Sequence, residues 1–288
     1  MFSEQVKPLL AAKTERVIVS RNLLTAGIGE SLLTSMIKNY IDSTDPTVSP
    51  YCKPGMVTLR VTSAAKTAAE AKQKCDRMVD QLSLKLGKNI CGVDIESIEH
   101  SVVELLKARG LRIATAESCT AGKISAAITA VPGASSVFDF GASTYSNEMK
   151  QKLLGVKKET LEKFGAVSAP TAAEMAIGIR KYAGADIGLS VTGVAGPECS
   201  ENKPVGLVYI GLSAMDRVWI MKLNVIKAEK DREKVRTNAV TYALDLARRY
   251  LAYFPEVMPQ GSASNELIII NPEEFATSEI KSTKGEQE

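Results

Sequence analysis

From about residue 95 to residue 193, short apolar runs alternate with helical patterns, and two longer strand patterns then follow back to back before a closing helix. This order constrains the fold more than any other feature of the chain. A helix over Ile95–Arg109, capped by Gly110, leads into a buried strand at Leu111–Ala114 and an amphipathic helix at Lys123–Ala130. A turn at Pro132-Gly133 precedes a strand over Val137–Thr144. Helices follow at about Glu148–Leu154, Lys158–Phe164 and Pro170–Ala183, and then a short buried strand at Ile187–Thr192. Strands at Val205–Ser213 and Arg217–Val225 are joined by a turn at Ala214-Met215-Asp216. The closing helix, from Asp231 to about Tyr253, carries Val235, Ala239, Tyr242 and Leu246 at helical spacing. Alternation first and paired strands afterwards specify a three-layer αβα domain with a mixed sheet covered on both faces.

The preceding segment, residues 14–93, reads as a small α+β domain. Strands at 16–20, 46–51, 56–62 and 89–92 and helices at 30–41 and 67–86 give the order β-α-β-β-α-β, the split βαβ arrangement. Residues 1–13 read as a lone helix without a packing partner, 94–254 as the larger domain, and 255–288 as a mostly disordered tail in which Leu267–Ile270 adds an edge strand.

Composition removes several classes of function. The 288 residues include 36 basic and 33 acidic side chains, a net charge of +3. So even a balance argues against nucleic acid or an anionic membrane surface as the partner. No apolar run approaches the roughly 20 residues of a spanning helix, and the N-terminus lacks a secretory pattern. The five cysteines (Cys52, Cys75, Cys91, Cys119, Cys199) are scattered and never form a C-x-x-C pair. That usage fits reduced thiols in the cytoplasm and offers no zinc site or other metal site.

Three segments gather polar residues and glycine where apolar strands end: Thr115–Gly122, Thr144–Lys150 and Thr192–Pro197. In open α/β sheets such strand ends form a common crevice. The first, Thr115-Ala116-Glu117-Ser118-Cys119-Thr120-Ala121-Gly122, sits at a strand-to-helix turn and suits a nucleophilic serine with an oxyanion hole, or a phosphate cradle. The only histidine, His100, lies on the linker helix, so a serine nucleophile needs another base. A lysine of lowered pKa is such a base, and Lys150, in the first turn after a strand end, is the favoured one, with Tyr145 relaying its proton or holding it. Ser146 or Asn147 caps the helix that follows. Gly193 and Gly196 permit close approach of a ligand. Cys119 is a second nucleophile candidate, although buried cysteines are usually inert packing. Arg232 and Arg236, one turn apart, are placed to grip a phosphate.

The motifs Thr115–Thr120, Thr144–Glu148 with Lys150, Gly165–Ser168, Val191–Pro197, Lys203–Gly206 and Asp231-Arg232 together resemble the C-terminal domain of the CinA (competence/damage-inducible) family in order and spacing over about residues 95–253. Thr25–Ser31 and Lys53-Pro54-Gly55 look like the KH-like middle domain of that family, and residues 1–10 look like the end of its N-terminal molybdopterin-binding-like domain. The pyrophosphatase activity associated with that domain is expected to be absent.

The resemblance implies an amidohydrolase that converts nicotinamide mononucleotide to nicotinic acid mononucleotide and ammonia without a cofactor. Carried over by motif, Ser118 is the nucleophile, Lys150 the general base and Tyr145 an assisting residue. Thr115, Cys119, Thr120, Gly122, Asn147, Thr192, Gly193, Gly196 and Arg232 are the expected substrate contacts. The alternative is a catalytically silent module that binds a mononucleotide. The expected partner is a pyridine mononucleotide, and the small domain gives a surface on which two copies would pair as a homodimer. Three positions depart from the family pattern: Ala121 stands where a glycine pair begins, Glu198-Cys199-Ser200 replaces a glycine-rich stretch, and Phe140 replaces an arginine.

Overall fold

The computed structural model describes residues 16–225, 231–253 and 266–270. The lone helix expected at 1–13 and most of the tail expected at 255–288 lie outside these residues. The chain divides into two compact units, with the boundary between Glu96 and Ser97.

The small unit contains β1 (Val17–Ala26), α1 (Glu30–Met36), α2 (Lys38–Ile41), β2 (Thr47–Lys53), β3 (Met56–Ala65), α3 (Ala68–Leu86) and β4 (Ile90–Val93). Its sheet order is β2-β3-β1-β4 with every neighbour antiparallel, so β3 splits the β1-β2 pair as the sequence order implies. Alternate residues of β3, Val57, Leu59 and Val61, turn inward against Cys75, Val79, Leu82 and Leu86 of α3. Two expectations need correction. The first strand runs on past residue 20 to Ala26, because Arg21 is paired with Asp76 and Asp94 rather than ending the strand. The single helix expected at 30–41 is broken at Ile37, whose backbone leaves helical geometry.

The large unit contains α4 (Ile98–Arg109), β5 (Ile113–Glu117), α5 (Lys123–Thr129), β6 (Phe138–Ser143), α6 (Asn147–Leu154), α7 (Lys158–Phe164), α8 (Ala169–Ala183), β7 (Ile187–Gly193), β8 (Leu207–Ala214), β9 (Arg217–Asn224), α9 (Arg232–Tyr253) and β10 (Glu266–Ile270). The six-stranded sheet has the order β10-β9-β8-β7-β5-β6. Strands β6 and β7 lie parallel to β5 on its two sides, and β7 to β10 are joined antiparallel. The sheet is therefore mixed, and β10 is the edge strand expected near residue 267.

Helices cover both faces. On one, Val218 and Ile220 of β9 pack against Ala169, Ala172 and Ala173 of α8. On the other, Trp219, which points the opposite way along the same strand, packs against Tyr250 of α9 with ring centroids 5.1 Å apart and the rings tilted. The α8 layer lies very close to the sheet. A Cβ at Gly188 would stand 2.1 Å from the carbonyl oxygen of Ala176, and one at Gly211 2.6 Å from that of Ala172. Among the described residues, no helix is long and apolar enough to cross a membrane.

Candidate active site

Chain direction brings the three polar segments together. From β5 the chain crosses through α5 to β6 on one side, then returns through α6, α7 and α8 to β7 on the other. Connections leaving β5 in opposite directions open a crevice beyond its carboxyl end. The register fixes the depth of the crevice, because Glu117 of β5 stands opposite Ser143 of β6 and Val191 of β7. The turns beginning at Ser118, Thr144 and Val194 thus leave the sheet side by side. They surround a cavity of about 270 Å³ whose lining includes Ser118, Cys119, Tyr145, Asn147, Lys150 and Arg232.

The centre of this cavity is a hydroxyl and an amine. Lys150 Nζ lies 3.2 Å from Ser118 Oγ, 2.9 Å from the carbonyl oxygen of Thr144 and 3.0 Å from that of Tyr145. The side chain is 1% exposed. Ser146 caps α6 by accepting the N–H of Met149, and that cap places Lys150 on the first turn, facing inward. Burial pushes the Lys150 ammonium below the ordinary lysine range, against the opposing pull of the Glu201 carboxylate. An uncharged amine has two hydrogens and one lone pair. With the hydrogens given to the two carbonyls, the lone pair is left for the Ser118 hydroxyl.

Cys119 is the poorer nucleophile of the two candidates. Its thiol is 4% exposed, and burial pushes its pKa up to about 12, so the reactive thiolate is scarce at neutral pH. His100 sits in the first turn of α4, outside the cavity lining.

The expected substrate contacts divide into two groups. Cys119, Asn147, Thr192, Gly193, Gly196 and Arg232 all line the cavity. Thr115, Thr120 and Gly122 are not among its lining residues, and for Thr115 the reason also corrects the strand boundary. Strand β5 continues beyond Ala114 to Glu117, and the polar residues inside it are satisfied by α5. Thr115 Oγ1 is buried 2.8 Å from Ser125 Oγ. Glu117, fully buried, accepts the N–H groups of Gly122, Ile124 and Ser125 and the Ser125 hydroxyl, all within 3.0 Å. The positive end of α5 is therefore already neutralised from within and is not a free anion cradle. Ala121, where the family pattern has glycine, adopts φ +49°, a left-handed backbone that costs an alanine more than a glycine.

Tyr145 divides its duties. Its carbonyl holds Lys150, while its phenol, on a ring 61% exposed, meets Arg232 Nη2 at 3.4 Å. Arg232 also donates to the carbonyl of Gly196 at 2.7 Å, so one guanidinium spans the second and third turns. Arg236 has a different place from the phosphate grip suggested by its spacing. Its Nε and Nη2 donate at 3.0 Å to the carbonyls of Cys119 and Thr120.

The sequence reading missed the opposite wall. Glu201 accepts the N–H of Ala166 at 2.9 Å and of Val167 at 3.2 Å, Lys203 donates to the carbonyl of Phe164, and Thr192 Oγ1 donates to that of Ala166. Burial opposes ionisation of Glu201, yet these N–H groups and Lys203 hold its carboxyl below the usual range. Sequence spacing gave no signal for this strap, because its partners lie about 35 positions away.

Comparison with known proteins places the whole arrangement. The CinA C-terminal domain model matches residues 95–251, and the damage-inducible protein CinA KH domain model matches residues 20–92. The chain belongs to the CinA family. A CinA-like protein of Kosmotoga olearia is 48% identical over 253 residues, covering 87% of this chain and 61% of that one. The chain spans about 60% of the length of the curated relatives it matches. Among solved structures, a CinA superfamily protein of Klebsiella pneumoniae aligns with a TM-score of 0.52 at 35% identity, covering 55% of this chain and 97% of that one. One of Escherichia coli aligns with a TM-score of 0.50 at 32% identity, covering 57% and 97%. The CinA resemblance seen in the motifs and the three-layer mixed α/β fold preceded by a small split βαβ unit are thus both established.

Proposed function

We propose that the large unit is a serine amidase that hydrolyses the carboxamide of nicotinamide mononucleotide to the acid and ammonia. The observation that carries the proposal is the 3.2 Å contact between Lys150 Nζ and Ser118 Oγ, made by an amine whose other contacts are backbone carbonyls. As Ser118 Oγ bonds to the carboxamide carbon, its proton passes to the Lys150 lone pair and the carbonyl electron pair moves onto oxygen. Backbone N–H groups at Cys119 and Thr120 receive that oxyanion. Collapse re-forms the carbonyl and breaks the C–N bond, and the Lys150 proton leaves with the amine as ammonia. Water then repeats the sequence against the acyl-serine, giving a proton to Lys150 and releasing the acid and the Ser118 hydroxyl. Tyr145 contributes its carbonyl to Lys150 and its phenol to the Arg232 bridge, while Asn147, Thr192, Gly193 and Gly196 shape the remaining wall. The reaction takes place on a small molecule and draws on no cofactor.

The test is ammonia release from nicotinamide mononucleotide by purified protein. Ser118→Ala is expected to lower turnover roughly 10⁴- to 10⁶-fold, the scale on which loss of a serine nucleophile acts. Unchanged turnover in this variant would reject the assignment. A second reading, a silent mononucleotide-binding module, draws support from Ala121, which holds the turn after Ser118 in a left-handed backbone where the family pattern has glycine. Calorimetric binding of the mononucleotide without ammonia release decides for that module.

A further inference from the structure

Most N–H groups around the Ser118 turn have partners. Ser118 N–H donates to the carbonyl of Val191, Ala121 N–H to that of Ser118 and Lys123 N–H to that of Thr120. Glu117 takes those of Gly122, Ile124 and Ser125. The N–H of Cys119 donates to no other residue among the described ones. The N–H of Thr120 has no hydrogen-bond partner among the described residues, and its buried hydroxyl has none either. A buried backbone donor without a partner is uncommon enough to require an explanation.

Arg236 supplies it. Its guanidinium lies on the α9 side of the turn, outside the cavity lining, and holds the carbonyls of both Cys119 and Thr120 at 3.0 Å. A trans peptide is planar, with C=O and N–H opposed across it. Fixing the Cys119 carbonyl toward Arg236 therefore fixes the Thr120 N–H in the opposite direction. We infer that Arg236 is a positioning residue, which acts through the Cys119–Thr120 peptide to aim the Thr120 N–H at the developing oxyanion. The inference rests on the serine amidase reading. Arg236 is buttressed in turn by Glu233, which accepts from its Nη1 at 3.3 Å, and Glu233 is also paired with Lys123 at the start of α5. Together with the Glu117 carboxylate, Arg236 leaves the Thr120 N–H as an unsatisfied donor in the turn that carries Ser118. A preorganised donor of this kind needs no reorganisation when charge appears.

The experiment has two arms. In the first, Arg236→Ala is expected to lower kcat for nicotinamide mononucleotide about 100-fold, the scale for loss of one oxyanion donor. KM stays within about twofold and the pH limb due to Lys150 does not move. Arg236→Lys, which keeps one of the two contacts, recovers part of the rate, as does guanidinium added to Arg236→Ala. A purely structural role would instead lower the melting temperature without separating kcat from KM. If the wild-type protein turns over and Arg236→Ala matches it, the inference is overturned while the Ser118–Lys150 reading stands.

The second arm does not depend on turnover. Pyridine-3-boronic acid takes the Ser118 oxygen on boron as the O–H bond breaks and its proton passes to Lys150, and the ¹⁵N-edited resonance of Thr120 reports the resulting tetrahedral anion. A downfield Thr120 shift in the wild type that is lost in Arg236→Ala supports the inference even if no amide is cleaved. A Thr120 resonance that ignores the probe in the wild-type protein, or responds equally in both proteins, overturns it.

Discussion

Two buried cationic sites in the large unit solve the same electrostatic problem in opposite ways. On α9, Arg248 and Arg249 are 1% and 0% exposed, and both donate to the fully buried carboxylate of Asp245, at 2.6 and 2.7 Å. At the cavity, Lys150 is equally buried, yet its hydrogen bonds go to two carbonyls and a hydroxyl. A guanidinium cannot surrender its proton, so the interior must supply a counter-ion. An amine can surrender its proton, and burial without a directly paired carboxylate loosens its hold on that proton, against the pull of Glu201. The difference separates a charge retained in an ion pair from one whose proton is held less tightly, as the proposed chemistry requires.

The sharpest way to break this comparison is to remove each group in turn. Lys150→Met is expected to lower kcat/KM about 10⁴-fold, measured as ammonia release, because the general base is gone. Its stability in urea should fall by no more than about 1 kcal/mol, since relief of amine desolvation offsets two lost hydrogen bonds. Asp245→Asn should do the reverse. Two guanidiniums lose their carboxylate, and urea unfolding should show a loss of about 3–5 kcal/mol, with turnover per folded molecule close to that of wild type. Should Asp245→Asn prove as stable as the parent while Lys150→Met unfolds, the contrast is inverted and the functional assignment of Lys150 fails with it.

A pH series sharpens the comparison further. The folded pKa of Lys150 is lowered, so between that value and the unfolded value near ~10.4 the unfolded chain binds more protons. Stability therefore rises with pH through this window, and kcat/KM rises at its lower edge, where the amine of the folded protein becomes free, and levels off above it. Lys150→Met should lack the stability gain, whereas Asp245→Asn should retain it. An activity limb at the ordinary lysine value would show that Lys150 is not the base.

The smallest expected effect concerns Cys119. Because its buried thiol stays protonated, Cys119→Ala should leave kcat within about threefold of wild type, with a modest loss of stability from the missing sulfur. Loss of turnover comparable to that of Ser118→Ala would transfer the nucleophile to the thiol.

How much of this was legible in the chain follows from the range of each interaction. Periodicity located the helices and strands of both units to within a few residues, and Gly110, Gly155 and Gly184 cap their helices in the left-handed conformation that glycine favours. The boundaries that shifted were those where polar residues stood inside a strand. Arg21, Thr115 and Glu117 looked like the end of an element because their partners (Asp76 and Asp94, Ser125, and the first turn of α5) were not visible in the local pattern.

The sequence alone determined which chemical groups follow the strand ends, a hydroxyl at 118 and an amine at 150, that a guanidinium at 232 opens the last helix, and that no imidazole lies nearby. Such information is local, since strand and helix periods are set by nearest neighbours along the chain. Only the tertiary structure decided which of these groups meet. The order β7-β5-β6 brings the turns after residues 117, 143 and 193 together, buries the Lys150 amine against two carbonyls and the Ser118 hydroxyl, and turns Arg236 from a phosphate grip into a brace for the loop after Ser118. Burial and direction are properties of the packed whole, and no window of sequence contains them.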